Sequence, residues 1–377
     1  MTGTLYLVVF AIAGLFYKDS KETISGKFRK FVVLIPGYKE DPIIVDVVKK
    51  TLEQDYPAEC YDVVVIADSF NAETLENLKI LPVKVIEVQF ERSSKAKSLN
   101  KAMKMLPDDY EVALILDADN VMENDFISKM NQAFNRGFQA IQGHRLAKNL
   151  NTHLAVLDAV SEEINNNIFR RGHRVLGLSA AFIGSGLAVR YPLYKHLMED
   201  IASFGEDKEL EHRLLKNRVR IEYLDEALVY DEKIAQGPAF INQRIRWIAN
   251  QLDFSFNYFI DGIKELFHGN IDLFDKVIQH LIPPRIFMLG FLSIIVILSL
   301  IFNSLAWNYA WIFQLLLCAL ALWISVPQKH ISFKTIRALL SLPYGFYLML
   351  VSLSKVHQAR REFFHTTHNY SENHKTH

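Results

Sequence analysis

The sequence predicts an α/β domain with a mostly parallel sheet, flanked by apolar segments at both ends of the chain. Between residues 31 and 237, short β-branched apolar runs alternate with stretches of helical periodicity. This alternation is typical of a parallel sheet covered by helices. Two of the runs end in acidic residues, at Asp68 and at Asp117-Ala118-Asp119. Ligands of such open sheets bind at the carboxyl ends of the strands, so one cleft is expected to hold both acidic elements.

The apolar runs are predicted to be strands, at residues 31–36, 63–68, 83–88 and 112–117. Helical spacing predicts helices at residues 45–53 and 95–105 and a further helix that begins at Glu206-Asp207. The Gly-x-Gly-x-x-Gly and Walker signatures are missing, which argues against dinucleotide binding and nucleotide hydrolysis of the P-loop type.

Composition narrows the class of protein. The chain is 50% hydrophobic and 22% charged, and it contains 42 basic (Lys and Arg) and 42 acidic residues. A net charge of zero gives no general attraction to nucleic acid, and no nucleic-acid partner is expected. Cys60 and Cys318 are far apart in different kinds of segment, so neither a disulfide framework nor a cysteine-based metal site is predicted.

Apolar segments at both ends predict attachment to a membrane. Residues 5–17 are followed by Lys18 and further basic residues, which predicts a short anchor with its C-terminal end in the cytoplasm. Residues 286–302 and 306–326 are expected to form a helical hairpin. If a weaker stretch at 338–353 spans the bilayer, the tail faces outside, whereas the basic residues after it favour the cytoplasm. Either this stretch is re-entrant or interfacial, or one of the earlier segments does not cross.

This organisation predicts five regions. They are an N-terminal membrane anchor at 1–25, a catalytic domain at 26–238, interfacial amphipathic helices at 239–284, transmembrane helices at 285–354 and a basic, His-containing tail at 355–377.

The pair Asp117 and Asp119 follows a buried strand and suits a divalent cation, Mg²⁺ or Mn²⁺, completed by a nucleoside diphosphate. An acidic turn or helix cap is the alternative. Glu206 and Asp207 open an amphipathic helix, where acidic residues favour the helix dipole. The functional alternative is a general base, because transfer of a group to a hydroxyl needs a carboxylate that accepts the hydroxyl proton.

The run Gln243-Arg244-Ile245-Arg246-Trp247 places Gln243, Arg246 and Trp247 on one face of a helix. Apolar residues recur on the opposite face, which is typical of a helix in the membrane interface. Arg246 is suited to a diphosphate because its guanidinium is planar, and Trp247 is suited to an acceptor channel. An ordinary amphipathic helix with an interfacial tryptophan explains the spacing equally well.

Two weaker elements complete the pattern. Residues 95–100 form a Lys-rich helical stretch, either a solvated face or a basic patch near phosphate. Gly184-Ser185-Gly186 allows a backbone to approach a ligand closely, and an ordinary turn is the alternative.

With these residues, the chain resembles the membrane-embedded, processive branch of the family 2 glycosyltransferases, which includes cellulose, chitin and hyaluronan synthases and ceramide glucosyltransferase. The likeness covers residues 31–247 strongly and the tail weakly. The acid-x-acid, Glu-Asp and Gln-x-x-Arg-Trp elements in this order make it specific. The resemblance implies a GT-A fold, a Rossmann-like mixed sheet, and inversion at the anomeric carbon.

The resemblance also implies site roles. Glu40 and Asp68 would hold the uridine, and Lys97 to Asn100 would be a shifted form of a Lys-x-x-x-Leu-Asn element near the nucleotide. Asp207 would be the base, next to Glu206. The implied nucleotide-sugar ligands are Pro36, Tyr38, Glu40, Asp68, Lys97, Asp117, Gln243, Arg246 and Trp247; the acceptor ligands are Gly184, Ser185, Gly186 and Trp247; the metal ligands are Asp119 and Asp117. Phe363, Thr366 and His368 resemble a Trp-x-x-Thr-x-basic gating element.

The predicted function is transfer of a sugar from a UDP-sugar to a hydroxyl of a growing surface polysaccharide or glycan precursor. The alternative is a single transfer to a membrane lipid, as in ceramide glucosyltransferase. The expected location is the bacterial inner membrane with a cytoplasmic catalytic domain, and the expected partners are the donor, a glycan or lipid acceptor, the bilayer and export or assembly proteins. An inactive membrane scaffold does not explain the intact carboxylates, and a phosphatase does not explain Gln-x-x-Arg-Trp.

Overall fold

The computed structural model describes residues 2–19, 26–203, 205–234, 237–302 and 305–359. Its strands are β1 (Phe31–Tyr38), β2 (Tyr61–Asp68), β3 (Lys84–Val88), β4 (Val112–Ile115), β5 (Val121–Met122), β6 (Ala140–Ala147), β7 (Leu187–Arg190) and β8 (Ile221–Asp231). Its α-helices are α1 (Thr2–Gly14), α2 (Ile44–Thr51), α3 (Ala72–Lys79), α4 (Lys95–Met105), α5 (Phe126–Asn135), α6 (His153–Asn165), α7 (His173–Val175), α8 (Tyr191–Met198), α9 (Glu206–Lys216), α10 (Gly237–Phe267), α11 (Ile271–Leu281), α12 (Arg285–Ile301), α13 (Leu305–Ile324), α14 (Phe333–Leu339) and α15 (Leu342–Ala359).

The described residues form two compact units. The sheet unit comprises those within Asp19–Lys148 and Ser179–Glu232 and contains all eight strands. The helical unit comprises those within Met1–Lys18, Asn149–Leu178 and Lys233–Thr366. The helical unit is therefore assembled from three separate stretches of the chain, and one of them interrupts the sheet unit between β6 and β7.

The sheet is mixed, with the strand order β3-β2-β1-β4-β7-β6-β8-β5. Strands β1 to β4 pair in parallel, whereas β7 runs antiparallel to both β4 and β6. Strand β8 pairs parallel with β6, and its antiparallel partner β5 lies at the edge. The alternation of apolar runs predicted a mostly parallel sheet, which holds for the β1–β4 half. The mixed sheet implied by the family resemblance is confirmed.

The core of the sheet unit explains why three of its strands are visible in the sequence. All side chains from Phe31 to Ile35 are buried, as are those from Val63 to Ala67 and from Val112 to Ile115. Strands covered on both faces become nearly continuous runs of Val, Ile and Leu. Strand β4 ends at Ile115, two residues before the predicted end, so Asp117 lies in the turn that follows the strand.

The helical unit packs its apolar side chains into two clusters. One joins α1, α6, α12 and α13 through residues such as Leu7, Ile164, Leu292 and Cys318. Gly172, at the end of a π-helical turn that continues α6, lies so close to α1 that a Cβ there would be 2.2 Å from the Phe10 carbonyl oxygen. The second cluster joins α10, α12 and α15, for example through Ile248, Phe287 and Leu348.

Within the described residues, one helix is long and apolar enough to cross a membrane, at Trp307–Ile324. Two bent helix pairs reach the same standard only when each pair is counted as one span: Ile271–Leu281 with Arg285–Ile301, bent by 54°, and Phe333–Leu339 with Leu342–Val356, bent by 52°. The N-terminal helix Thr2–Gly14 is apolar but shorter than the roughly 20 residues that a span needs.

Candidate functional site

The sheet unit carries an acidic turn directly after β4. The backbone N–H of Leu116 still donates to the Leu34 carbonyl of β1, at 3.0 Å, and the chain then turns at residues 117–120. The N–H of Asn120 closes this turn by donating to the Asp117 carbonyl, also at 3.0 Å. Asp119 is buried, with 8% of its surface exposed, and its carbonyl oxygen accepts a hydrogen bond from Lys148. The turn thus presents the two predicted metal ligands from a fixed backbone.

Lys95, in the first turn of α4, links this acid turn to two other predicted elements. Its Nζ donates to Asp117 Oδ1 at 2.5 Å and to the Gly184 carbonyl at 2.7 Å, and it lies 3.5 Å from Glu206 Oε1. Burial lowers the pKa of Lys95, but the charges of Asp117 and Glu206 outweigh burial, so the pKa lies above its ordinary value. A permanent cation therefore lies among the carboxylates.

Glu206 and Asp207 begin α9, as the sequence predicts. The Glu206 side chain is 12% exposed. Burial, with the nearby Asp207 charge, raises the pKa of Glu206 to about 7, although Lys95 opposes the shift. Asp207 Oδ1 accepts a hydrogen bond from the backbone N–H of Lys208 at 2.9 Å. Because Lys95 contacts both Asp117 and Glu206, the acid turn and the start of α9 lie on the same side of the sheet unit.

The loop that contains Gly184 lies against both groups. A methyl group at Gly184 would be 3.6 Å from Asp207 Oδ2 and 3.6 Å from Lys95 Nζ. Its φ of +79° also favours glycine, since other residues rarely adopt this conformation. The two distances are ordinary van der Waals contacts, so the positive φ is the feature that favours glycine here, and the close approach to a ligand stays a prediction.

Two buried residues that were not predicted as site residues fix this loop in place. The carboxylate of Glu211 on α9 is fully buried and accepts a hydrogen bond from the Phe182 N–H at 2.9 Å. Gln142 on β6 donates through Nε2 to the Ser185 carbonyl at 2.9 Å and accepts through Oε1 from the Ile183 N–H at 3.1 Å. Neither residue belongs to a recognisable motif, so only their positions in the fold indicate this contribution.

Ser185, predicted to contact the acceptor, points into the protein. Its side chain is fully buried, and its Oγ accepts hydrogen bonds from the Asp117 N–H at 2.9 Å and from Asn120 Nδ2 at 2.7 Å. The hydroxyl therefore contacts the acid turn.

The ends of β1 and β2 provide a second polar group. Asp68 is 1% exposed; its Oδ1 accepts from the Ser69 hydroxyl at 2.9 Å, while its buried Oδ2 has no hydrogen-bond partner among the described residues. Tyr38 lies opposite Asp68 in the sheet register, and Pro36 lies opposite Ile66. Glu40 follows two residues after Tyr38.

Backbone strain marks the same place. Lys39 and Ser69 have φ angles of +55° and +60°, although neither is glycine. Such conformations cost on the order of 1 kcal/mol each and are concentrated at functional sites. Residue type alone gives no sign of this strain.

Lys97, the predicted nucleotide ligand of α4, lies away from the carboxylates described above. Its Nζ donates to the Arg92 carbonyl at 2.7 Å and lies 6.0 Å from the centre of the Phe90 ring. The lysine that contacts the acid turn is Lys95, and Lys95, Leu99 and Asn100 have the Lys-x-x-x-Leu-Asn spacing without a shift. The Asn100 side chain donates to the Ile201 carbonyl at 2.9 Å.

The residues of the Gln-x-x-Arg-Trp element belong to α10 in the helical unit. Gln243 Oε1 is buried without a hydrogen-bond partner among the described residues, and Trp247 is 40% exposed. The Arg244 guanidinium lies 4.1 Å from the centre of the Trp247 ring and forms an ion pair with Asp158. On the opposite face, Ile245 is buried, as the apolar spacing predicts. The possible gating residues Phe363, Thr366 and His368 lie outside the described residues.

No group of three or more His, Cys, Asp and Glu side chains in the described part of the chain is arranged to hold a metal ion. Asp117 and Asp119 alone would leave most of the six positions around Mg²⁺ to other ligands. The same two-carboxylate arrangement suits an ion that arrives with a phosphate ligand.

Three solved structures are similar to this chain to different degrees. The mannosyltransferase PcManGT from Pyrobaculum calidifontis, in complex with GDP-Man and Mn²⁺, is similar with a TM-score of 0.59 and 16% sequence identity, over 96% of each chain. Glucosyl-3-phosphoglycerate synthase from Mycobacterium tuberculosis, with Mn²⁺, UDP-Glc and phosphoglyceric acid, gives 0.45 and 14% over 63% of this chain and 87% of that one. Residues 1–349 of S. aureus TarS give 0.38 and 18% over 58% and 64%. Only the first score indicates a shared overall fold.

A search of curated protein sequences gives no significant match. A protein-family model described as glycosyltransferase like family 2 matches residues 29–250, more than half of the chain. With the mixed sheet and its GT-A fold, this match shows that the chain belongs to the family 2-like glycosyltransferases and is a glycosyltransferase.

Proposed function

We propose that the protein is an inverting, metal-dependent glycosyltransferase of a membrane, which transfers a sugar from a nucleoside diphosphate sugar to a hydroxyl of a glycan or glycan precursor. The observation that carries this proposal is the meeting of Asp117, Glu206 and the Gly184 carbonyl at the Lys95 ammonium. This arrangement combines an acid-x-acid turn, an acidic helix start and a glycine loop, which are the parts that sugar transfer needs.

Asp117 and Asp119 fit a resident Mg²⁺ or Mn²⁺ ion. Carboxylate oxygens are hard ligands that suit these cations, and diphosphate oxygens of the donor would supply further ligands. When bound, the ion would neutralise negative charge on the leaving diphosphate. Lys95 adds a second, fixed positive charge beside Asp117. The complex of PcManGT contains Mn²⁺ with its nucleotide sugar, which supports Mn²⁺ as the first ion to test.

Asp68 is proposed to bind the nucleobase, together with Pro36, Tyr38 and Glu40 from the end of β1. A buried carboxylate oxygen without a partner is unfavourable, and a base N–H is a donor of the right kind. Strained backbone at Lys39 and Ser69 beside it supports a binding role. The sequence resemblance favours uridine as the nucleoside; the two neighbours above carry GDP- and UDP-linked sugars, so both classes belong in the test.

Asp207 is proposed as the general base. With a pKa of about 7, Glu206 holds a proton for much of the time at neutral pH and is less suited to accept the proton of the attacking hydroxyl. The Gly184–Gly186 backbone, adjacent to Asp207, is proposed to border the acceptor.

The predicted roles of Gln243, Arg246 and Trp247 in binding donor and acceptor rest on their motif. The buried, unpartnered Gln243 Oε1 and the partly exposed Trp247 ring support a ligand-binding role for this helix. An Arg246→Lys variant keeps the charge but loses the planar fork, so a strong loss of donor affinity would support a bidentate contact.

Membrane attachment is supported by the surface of α13. Large apolar side chains on this helix are 50–67% exposed: Trp307, Phe313, Leu316, Leu320 and Trp323. An apolar surface of this extent is unfavourable in water and is matched by lipid. We therefore propose an integral membrane protein with the five regions given above, a cytoplasmic catalytic domain and, in a bacterium, a location in the inner membrane. Retention in the membrane pellet after alkaline carbonate extraction is the expected result; release into the supernatant would contradict integration.

The second candidate is a single transfer to a membrane lipid. It is favoured by the small number of candidate membrane spans, one to three among the described residues, because so few helices would not enclose a channel for a polymer. Polymer export would then need assembly or export partners, whereas lipid glycosylation would not.

Sizing of the product tests both candidates. The protein in lipid is incubated with Mn²⁺ and radiolabelled UDP- and GDP-sugars, and products are separated by size and by organic extraction. A ladder or a high-mass, water-soluble product would establish polymer synthesis. A single organic-soluble product would establish the lipid reaction. If no sugar is transferred or hydrolysed, with Asp119→Ala giving the same trace as wild type, the proposed activity is wrong.

A further inference from the structure

We propose that Ser185 is a positioning residue that sets the conformation of the acid turn for its metal ion. This inference rests on the proposed function, because it assumes that Asp117 and Asp119 hold the ion. It assigns the hydroxyl of the Gly-Ser-Gly loop to the donor side of the site.

The contacts of the Ser185 hydroxyl define this role. Its Oγ accepts from the Asp117 N–H at the start of the turn, at 2.9 Å, and from Asn120 Nδ2 at its end, at 2.7 Å. Ser185 and Asn120 are both fully buried. One oxygen atom therefore joins both ends of the segment that carries Asp117 and Asp119.

The position of Ser185 is itself fixed by the sheet. The N–H of Gly186 donates to the Ile115 carbonyl of β4 at 2.9 Å, and the Gly186 carbonyl accepts from the Gly143 N–H of β6 at 2.8 Å. Gln142 donates to the Ser185 carbonyl at 2.9 Å. Gly186 has a φ of +62°, and a Cβ there would be 2.6 Å from Val229 Cγ1, so the loop passes between strands only with glycine at this position.

Removal of the hydroxyl would take one acceptor away from two donors of the turn, the Asp117 N–H and the amide of the fully buried Asn120. The loss of an acceptor inside the protein is unfavourable, so the turn is expected to relax toward other acceptors. The two carboxylates would then no longer be held in one arrangement, and the ion would bind more weakly. The Gly184 carbonyl, held by Lys95, does not depend on this hydroxyl.

The chain offers a matched control. Ser179 lies in the same segment, is also fully buried, and its Oγ accepts a backbone hydrogen bond from Ile221 N–H at 3.0 Å. Ser179→Ala and Ser185→Ala therefore remove the same group from equally buried sites, but only Ser185 contacts the acid turn. Ser185→Cys, with a weakly accepting sulfur of similar shape, serves if the alanine variant does not fold.

The experiment measures binding of Mn²⁺ with UDP, and separately with GDP, by calorimetry, and thermal stability with and without these ligands. In Ser185→Ala, we expect the affinity for Mn²⁺ at saturating nucleotide to fall at least tenfold, which is about 1.4 kcal/mol. Ser179→Ala should lose thermal stability but keep this affinity within about twofold, since its lost bond lies elsewhere.

Each contrary outcome has a separate meaning. Wild-type Mn²⁺ affinity in both Ser185 variants would overturn the positioning role, as would a rise in acceptor KM alone. An equal loss of affinity in Ser179→Ala would show a general structural effect and would also overturn it. If Asp119→Ala binds Mn²⁺ as wild type does, the metal role of the turn fails, and the proposed function fails with it.

Discussion

The Lys95 ammonium and the Asp117 carboxylate form an ion pair at 2.5 Å, with side chains that are 22% and 32% exposed. The same ammonium donates to the Gly184 carbonyl. Replacement by methionine keeps the aliphatic stem and removes the charge. We expect Lys95→Met to be destabilised by about 2 kcal/mol, since a charged hydrogen-bond partner is lost, and to bind nucleotide sugar at least tenfold more weakly.

Lys97→Met tests the alternative assignment from the sequence. Lys97 is exposed, and its ammonium contacts the Arg92 carbonyl and the Phe90 ring in the preceding loop, so its replacement should change stability by about 0.5 kcal/mol or less. Denaturant unfolding and nucleotide titration of both variants separate the two lysines. A larger loss of affinity in Lys97→Met than in Lys95→Met would restore Lys97 as the phosphate contact.

Asp207→Asn tests the general base. The amide keeps the size of the side chain and its acceptor oxygen for the Lys208 N–H, but it does not accept a proton. We expect a loss of transfer of at least about 100-fold, the contribution of general base catalysis, with Kd for the nucleotide sugar little changed. Product formation and donor binding are measured on the same preparation. Full activity would remove Asp207 from the base role.

Glu206→Gln tests the raised pKa of Glu206. The pKa is about 7 in the folded protein against an ordinary value of 4.5, so the folded state holds more protons between these values. The stability that protonated Glu206 contributes is fully present below pH 4.5 and is lost as pH rises through 7. Glutamine does not titrate, so the variant does not lose stability in this way. Relative to wild type it should therefore gain stability from pH 5 to pH 8, by at most about 3 kcal/mol.

Unfolding is followed in EDTA, so that no metal ion alters the charges of Asp117, Asp207 and Lys95 around Glu206. Glu73→Gln, on the exposed face of α3, is the control for replacement of a glutamate by glutamine. A stability difference between Glu206→Gln and wild type that stays constant with pH would contradict the raised pKa.

Asp68→Asn tests the nucleobase contact. The new amide places a donor where the base is expected to donate, so the affinity for UDP or GDP should fall by about 10- to 100-fold, or roughly 1.4–2.8 kcal/mol. Stability should not fall, because a buried carboxylate oxygen without a partner is removed.

Asp62→Asn, at the other end of β2, should behave in the opposite way. Asp62 pairs with Lys84 at 2.9 Å, so its loss should lower stability slightly and leave nucleotide affinity unchanged. Calorimetry and thermal unfolding of both variants give the comparison. Unchanged nucleotide affinity in Asp68→Asn would assign the base to other residues.

Part of this fold can be predicted from the sequence because its strands β1, β2 and β4 are buried on both faces and consist of apolar residues. Strand β6 could not be predicted in this way. It contains Gln142, His144 and Arg145, whose polar groups contact residues far along the chain: Gln142 contacts Ser185, His144 contacts Asp225, and Arg145 forms an ion pair with Asp231. The hydropathy pattern of a segment does not show which distant residues its polar side chains will contact.

The candidate site also contains residues that the sequence predicts and residues that it does not. The acid pair, the Glu-Asp helix start and the glycine loop are adjacent to predictable element ends. The spacing of Lys95, Leu99 and Asn100 could have indicated Lys95, because it matches the Lys-x-x-x-Leu-Asn element without a shift. Hydropathy does not distinguish Lys95 from Lys97; they differ by about 200° around the helix, and the packing of α4 decides which faces the turn. The direction of the Ser185 hydroxyl depends on Asp117, which precedes it by 68 residues.

The interruption of the sheet unit between β6 and β7 has a consequence for synthesis of the chain. The inserted stretch, Asn149–Leu178, leaves the ribosome more than a hundred residues before α12 and α13, which bury its residue Ile168 together with Leu292 and Cys318. All eight strands are complete by Asp231. All strands of the sheet can therefore pair while the apolar face of the inserted helix is still uncovered. Early contact of that face with lipid or a chaperone would protect the growing chain from aggregation. A protein truncated after residue 238 would lack α12 and α13, so the apolar face of the inserted stretch would stay uncovered.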